Sequence, residues 1–196
     1  MTIAILGTGN MAKGLATRLK GKVDLVVGSR EAGKSLAGIA AIGYADAVAK
    51  ADIVVLAMPY GPALDTIKSL NLAGKTVVDM SNPVTPDFSS LALGFTTSAA
   101  EELQKLAPAA HVVKAYNTIF AALFDADTAA IPVFIAGNDK AATEKVAALV
   151  TSSGFKADVV GGLDAARLIE PLGMLNIKLG YHLGRGTRIA PAWVAA

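Results

Sequence analysis

The chain has 196 residues and a formal net charge of +2, with 53% hydrophobic and 17% charged residues. That length corresponds to about one domain, and so apolar a composition excludes a disordered chain. The longest stretch free of Asp, Glu, Lys and Arg is the 13 residues from Phe88 to Ala100, short of the ~20 that a membrane-spanning helix needs. Cysteine is absent, which excludes disulfides and thiolate chemistry, and His111 and His182 are the only histidines. A histidine metal site is not expected. Lys and Arg are scattered without interleaved aromatics, so no nucleic-acid partner is expected. The sequence enters a strand pattern at once without a leader pattern, and a cytoplasmic protein is expected.

The elements alternate along the chain. Thr2 to Leu6 reads as a buried strand, and Met11 to Lys20 as a helix with Met11, Leu15 and Leu19 on one face. Val23 to Gly28 is a second strand. Glu31 to Ala40 is expected to be a helix, Ile42 to Tyr44 a short strand and Asp46 to Ala51 a short helix. Ile53 to Met58 is the most strongly buried strand pattern, ended by Pro59. Pro62 to Leu70 is a helix opened by a proline. A strand over Lys75 to Met80, a long loop over Ser81 to Thr97, a helix over Ala99 to Leu106 and a strand over His111 to Ala115 follow. Pro132 to Ala136 is a strand, Asp139 to Thr151 a helix and Ala157 to Val160 a strand. Asp164 to His182 is the last long helix, interrupted by Pro171. This is the pattern of an α/β, Rossmann-type doubly wound fold with a mainly parallel sheet. Residues 1–160 form the dinucleotide-binding domain, and residues 161–196 a small helical C-terminal appendage.

Gly7-Thr8-Gly9-Asn10-Met11-Ala12 lies between the first strand and the first helix, where a dinucleotide-binding turn must lie. Gly7 permits the tight turn, Gly9 lets a pyrophosphate reach the backbone, and the small Ala12 lets the helix pack close. The free N–H groups of the helix start face the phosphates. An NAD-binding chain has an acid at the end of the second strand. Here Ser29-Arg30 stands there instead. Ser29 and Arg30 suit a 2′-phosphate, and Lys34, one helical turn further, adds a charge. NADP is therefore expected. Glu31 is read as a first-turn acid facing the helix dipole.

The chain resembles the coenzyme factor-420-dependent NADP oxidoreductases and their wider group of dinucleotide-binding reductases, with the cytosolic domains of membrane-bound metalloreductases as more distant relatives. The resemblance is carried by the glycine turn and Gly28-Ser29-Arg30, then by Ala57-Met58-Pro59-Tyr60 and Asp79-Met80-Ser81-Asn82-Pro83. Val113-Lys114-Ala115-Tyr116-Asn117-Thr118, Phe134 to Asp139 and Arg167-x-x-Glu170 complete it. It implies that Thr8, Asn10 and Met11 line the pyrophosphate turn, and that Ser29, Arg30 and Lys34 hold the 2′-phosphate. It also implies that Met58, Pro59 and Tyr60 line the ribose and nicotinamide region, and that Asn82, Pro83, Ala115, Tyr116 and Asn117 flank the nicotinamide. All of these follow strands, at the sheet end where open α/β folds bind ligands. The second substrate implied is a planar acceptor such as a deazaflavin (factor 420) or a flavin.

No acid, base or metal set emerges, which suits hydride transfer between two stacked rings. Asn82, Tyr116 and Asn117 are the orienting candidates, Asn82 foremost because an amide both donates and accepts. A non-catalytic NADP(H) sensor or partner subunit, and electron supply to a metal or haem protein, are the other readings. Asp79 is expected to organise the Ser81-Asn82 turn. Arg167 and Glu170 are expected to form an exposed i, i+3 pair. The stripe Leu168, Leu172, Leu175 and Leu179, with Trp193 in the tail, points to a homodimer.

Overall fold

The computed structural model describes residues 1–31 and 33–193. The elements are β1 (Thr2–Leu6), α1 (Asn10–Leu19), β2 (Asp24–Gly28), β3 (Ser35–Leu36), β4 (Ile39–Ile42), α2 (Tyr44–Ala49), β5 (Ile53–Leu56), α3 (Tyr60–Lys68), β6 (Thr76–Asp79), α4 (Ala99–Leu106), β7 (His111–Lys114), β8 (Pro132–Gly137), α5 (Lys140–Ser152), β9 (Lys156–Gly161) and α6 (Ala166–Ile177). Short 3-10 turns occupy Ala121–Asp125 and Leu163–Ala165, and a π-helical turn, Lys178–His182, continues α6. The strands form one sheet in the order β3-β4-β2-β1-β5-β6-β7-β8-β9. Pairing is parallel except between β3 and β4 and between β7 and β8. No described helix is long and apolar enough to cross a membrane.

The central strands are apolar on both faces because helices cover both. Ile3 and Ile5 of β1 point into one core with Leu15 and Leu19 of α1, while Ala4 and Leu6 point into the other with Ile67 of α3. That alternation is the period-2 geometry of a strand buried on both sides.

The expected helix over Glu31 to Ala40 is not formed among the described residues of that stretch. Its second half is the hairpin β3–β4, in register Ser35↔Ala40 and Leu36↔Ile39. The connecting residues Ala37 and Gly38 both have positive φ, 50° and 78°, the signature of a tight hairpin turn. Gly33 and Gly38 would each cost a helix about 1 kcal/mol, and here both are spent in turns instead. The expected strand over Ile42 to Tyr44 ends at Ile42, and Tyr44 already opens α2. The predicted break at Pro171 is absent as well. Pro171 lies inside the 12-residue α6, where it forgoes the bond to the Arg167 carbonyl, and the helix continues through it to Ile177.

The predicted Arg167–Glu170 pair is also corrected. Arg167 instead grips Glu101 of α4, with Nη2 to Oε1 at 2.6 Å and Nε to Oε2 at 2.9 Å. Glu170 turns inward, where it is 2% exposed. Its Oε1 lies 2.7 Å from Lys114 Nζ, itself fully buried at the end of β7. Lys114 Nζ donates to Asp79 Oδ2 at 2.6 Å and to the Ser81 carbonyl at 2.7 Å. Asp79 Oδ1 accepts the Ser81 N–H at 2.9 Å, so it does organise that turn. Glu170 further accepts the N–H groups of Ala99 and Ala100 at the start of α4. Burial pulls the ammonium of Lys114 down, but Asp79 and Glu170 outweigh it and hold it above its ordinary value. Burial likewise pushes the Glu170 carboxyl up, against the pull of Lys114.

Removing a charge from such a junction strands its partners. Lys114→Met should lower the unfolding free energy by about 3–5 kcal/mol, measured by denaturant titration. A loss below about 1 kcal/mol, the value of a surface pair, would show that the junction bears little load.

Candidate functional site

The first βα turn is built from glycine. Gly7 has φ +120°, and a Cβ there would lie 2.5 Å from the Ala57 carbonyl oxygen. Its lack of a side chain lets the loops after β1 and β5 meet. Gly9 caps α1 without any side-chain bond, no acid stands in the first turn, and the space above Gly9 is open. The first N–H groups of α1 thus have no intrahelical acceptor and no side-chain cap, which is the donor set a polyanion requires. Thr8, Gly9 and Asn10 are exposed at this rim, whereas Ala12 is buried in the core.

A cleft of about 400 Å³ opens beside that turn. Gly9, Asn10 and Met11 form one wall, and Ala57, Met58 and Pro59 after β5 form the next. Ser81 and Asn82 after β6 and the segment 116–121 after β7 make the floor. Gly173, Asn176 and Ile177 of α6, with Tyr181 and Phe88, close it over. Among the lining residues none is charged and none is histidine. Asn82 Nδ2 donates to the Asn117 carbonyl at 2.7 Å, and Asn117 Nδ2 donates to Asn82 Oδ1 at 2.9 Å. Buried around this pair, Ser81 Oγ, Asn117 Oδ1 and Thr118 Oγ1 have no hydrogen-bond partner. Uncompensated buried polar atoms are costly, and their clustering at a cleft marks a place for a polar ligand.

Of the expected nicotinamide-side residues, Met58, Pro59, Asn82 and Asn117 come together at the cleft. Tyr116 contributes only backbone there, and its expected orienting side chain is corrected. The ring is fully buried between Phe124 and Phe155, and its hydroxyl lies 3.0 Å from Ser153 Oγ. Burial pushes that hydroxyl well above the usual tyrosine range. A φ of +63° turns the side chain into the core while the following residues face the cleft. Ala115 and Pro83 are buried beneath the floor. Tyr60 opens α3 outside the lining, its hydroxyl raised by burial and by nearby carboxylates, Glu102 first.

A second depression, lined by Arg30, Tyr44, Gly61, Pro62, Asp65, Thr66 and Ser69, lies past the end of β2. Ser29 Oγ accepts the Glu31 N–H at 3.0 Å, which shapes the turn carrying Arg30. Lys34 is not a helical turn beyond Arg30. It begins the hairpin, with Nζ 3.2 Å from Glu31 Oε2. Glu31 is accordingly a partner of Lys34 and not a helix-dipole residue.

Gly173, Asn176, Phe120 and Tyr181 were not legible as site residues. The signal available for the first two was their i+3 and i+6 spacing from Glu170. His111 starts β7, with Nδ1 3.7 Å from Asp139 Oδ2, and His182 ends the π-helical turn, exposed. No cluster that could hold a metal occurs among the described residues.

The chain is similar to known proteins. The family model described as NADP oxidoreductase, coenzyme F420-dependent, matches residues 2–83. The chain is 33% identical over 216 residues to the F420-dependent NADP reductase of Methanocaldococcus jannaschii, covering 96% of this chain and 97% of the relative. It is 34% identical to Metalloreductase STEAP3 of Rattus norvegicus across 87% of this chain, spanning only 36% of that protein. A crystal structure from Arthrobacter sp. fb24, assigned as an F420-dependent NADP-reductase, superposes with a TM-score of 0.83 at 30% identity, over 97% of this chain and 100% of that one.

The burial of Tyr116 sets a stability expectation. Tyr116→Phe keeps the ring packing and removes one buried hydroxyl bond, so it should cost about 1 kcal/mol of unfolding free energy. Thermal or urea unfolding reads this, and an unchanged midpoint would mean that the Ser153 contact contributes nothing.

Proposed function

We propose a reaction for this chain from one premise: it belongs to the family of coenzyme F420-dependent NADP oxidoreductases. It is an NADP-dependent oxidoreductase. The reaction proposed is hydride exchange between NADP(H) and a planar deazaflavin acceptor. The observation that carries it is the continuity of two features. An uncapped helix start suited to phosphates leads directly, through Asn10 and Met11, into an uncharged cleft with unpartnered polar atoms and an aromatic rim.

In this reading the N–H groups opening α1 bind the pyrophosphate, and Arg30 with Ser29 binds the 2′-phosphate. Met58 and Pro59 pack against the ribose and nicotinamide. Asn82 and Asn117 orient the carboxamide. Bound there, the nicotinamide supplies or takes the hydride. Phe120 and Tyr181, whose rings meet edge to face at 5.4 Å, offer the acceptor an apolar wall. The lining contains no acid, base or histidine, so the accompanying proton exchanges with solvent.

Mixing the protein with NADPH and factor 420, with a flavin and an acceptor-free sample as further arms, tests the reading by absorbance. Oxidation of NADPH only with the deazaflavin is expected. If no acceptor is reduced, the reading fails. Asn82→Ala should lower the rate on the order of a hundredfold, the cost of misplacing a reacting ring by about 1 Å, with little change in NADPH affinity. Neither His111→Ala nor His182→Ala should abolish turnover.

Cofactor choice follows from the end of β2. A charge-assisted bond to phosphate is worth about 1.5–3 kcal/mol, roughly ten- to a hundredfold in affinity. Arg30→Ala should weaken NADPH by that factor and leave NADH nearly unchanged in fluorescence titrations. Equal native affinity for the two cofactors would remove the 2′-phosphate role.

We also propose a homodimer. Leu172 packs on Phe134, Ala136 and Ile169, but Leu168 and Leu175 of α6 and Trp193 remain exposed. Light scattering should give about twice the chain mass, and a monomer at micromolar concentration would exclude it.

A further inference from the structure

Glycine is among the poorest residues in a helix interior, yet Gly173 sits in the middle of α6 and is buried. The reason lies across the cleft floor. A Cβ on Gly173 would stand 2.6 Å from Asn82 Oδ1 and 2.9 Å from Asn117 Nδ2. Asn117 Nδ2 also donates to the Ile169 carbonyl of the same helix at 2.9 Å. One turn before, Glu170 fixes the helix to Lys114 and to the start of α4. One turn after, Asn176 Nδ2 donates to the Thr118 carbonyl at 3.0 Å. Residues at i, i+3 and i+6 share one helix face. The face of α6 turned to the floor is therefore a polar seam with a gap at its centre, and the amide pair fills the gap.

We propose that Gly173 is a positioning residue. Its missing side chain lets α6 press on Asn82 and Asn117 and hold the two amides in one arrangement for the nicotinamide. The inference rests on the reading that Asn82 orients that ring. The atoms a Cβ would strike are ends of side chains and not backbone. A methyl group there displaces the amides and leaves the fold, while alanine favours the helix itself. Gly173 thus acts through the asparagines and touches no reacting atom.

The experiment compares Gly173→Ala, Asn82→Ala and the double variant in three measurements: thermal unfolding, NADPH affinity by fluorescence, and the rate of NADPH oxidation with factor 420. Gly173→Ala should fold, with an unfolding midpoint lowered no further than that of Asn82→Ala, and bind NADPH within about threefold, since the phosphates are held elsewhere, while its rate falls about ten- to a hundredfold. In the Asn82→Ala background the same change should cost less than about twofold, because residues acting as one unit are not additive. A native rate for Gly173→Ala overturns the proposal. So does a failure to fold, or a midpoint lowered well beyond that of Asn82→Ala, because the methyl would then be disrupting packing beyond the amides. Full additivity with Asn82→Ala overturns it too. If Asn82→Ala itself keeps the native rate, the orienting role of Asn82 fails instead, and the two failures are distinct.

Discussion

A fully buried lysine carries the organisation of the ligand-binding end of this sheet. Lys114 closes β7, where Asp79 of β6 and Glu170 of α6 converge on its ammonium. Two carboxylates around one ammonium leave an excess of negative charge with no access to water. The start of α4 offsets it, since Ala99 and Ala100 offer Glu170 their free N–H groups at the positive end of a helix. Isolated, any one of these charges would be prohibitively costly to bury. Together they tie β6, β7, α4 and α6 into one corner. Such a junction contributes little net stability compared with apolar packing, but it fastens Glu170 of α6 to β7 and to the start of α4.

That docking decides the character of the cleft. With Glu170 pinned, the next turn places Gly173 over the amide pair and the turn after that brings Asn176 to the Thr118 carbonyl. The charges needed to hold the roof are consumed beneath it, so the cleft itself is lined only by neutral groups. A low-dielectric pocket of fixed dipoles is a suitable place to stack two flat rings, because it orients them and reorganises little. The strained φ of Tyr116 belongs to the same design. A buried aromatic anchored by Phe124, Phe155 and Ser153 pins the backbone in a conformation that costs of order 1–3 kcal/mol and turns Asn117 toward α6.

The alternation of strands and helices was legible because strands buried on both faces are uninterrupted apolar runs, such as Ile53 to Leu56. The glycine turn was legible because its chemistry is local. The stretch from Glu31 to Ala40 was read as a helix, while the decisive signal was the pair of glycines, Gly33 and Gly38, at the turns. Tyr116 was misread for a different reason. A strand end and a motif say which residue stands at a place, whereas a left-handed φ decides which way its side chain points. The Arg167–Glu170 spacing likewise suggested a surface pair, and only the tertiary arrangement supplied the better partners, Glu101 and Lys114.

The two halves of the site differ in how they are encoded. The phosphate half depends on backbone donors at one turn, whose geometry requires a glycine at position 7, and it lies within the matched segment 2–83. Asn82 stands at the edge of that segment, and its neighbours Asn117 and Gly173 lie beyond it, as does Asn176, which bonds the Thr118 carbonyl. In the proposed reading, holding a cofactor and aiming its ring are separable tasks, the first assigned to the part of the chain that folds around the glycine turn and the second to the amide pair. The register of α6 against that pair is set by Glu170, with Gly173 giving the room and the Ile169 carbonyl accepting from Asn117. A change on the exposed face of α6, at Leu168 or Leu175, leaves that register untouched, because Glu170, Gly173 and Asn176 lie on the buried face. The buried face of α6 thus keeps the amides in place, and its exposed leucines are left to the proposed contact between copies.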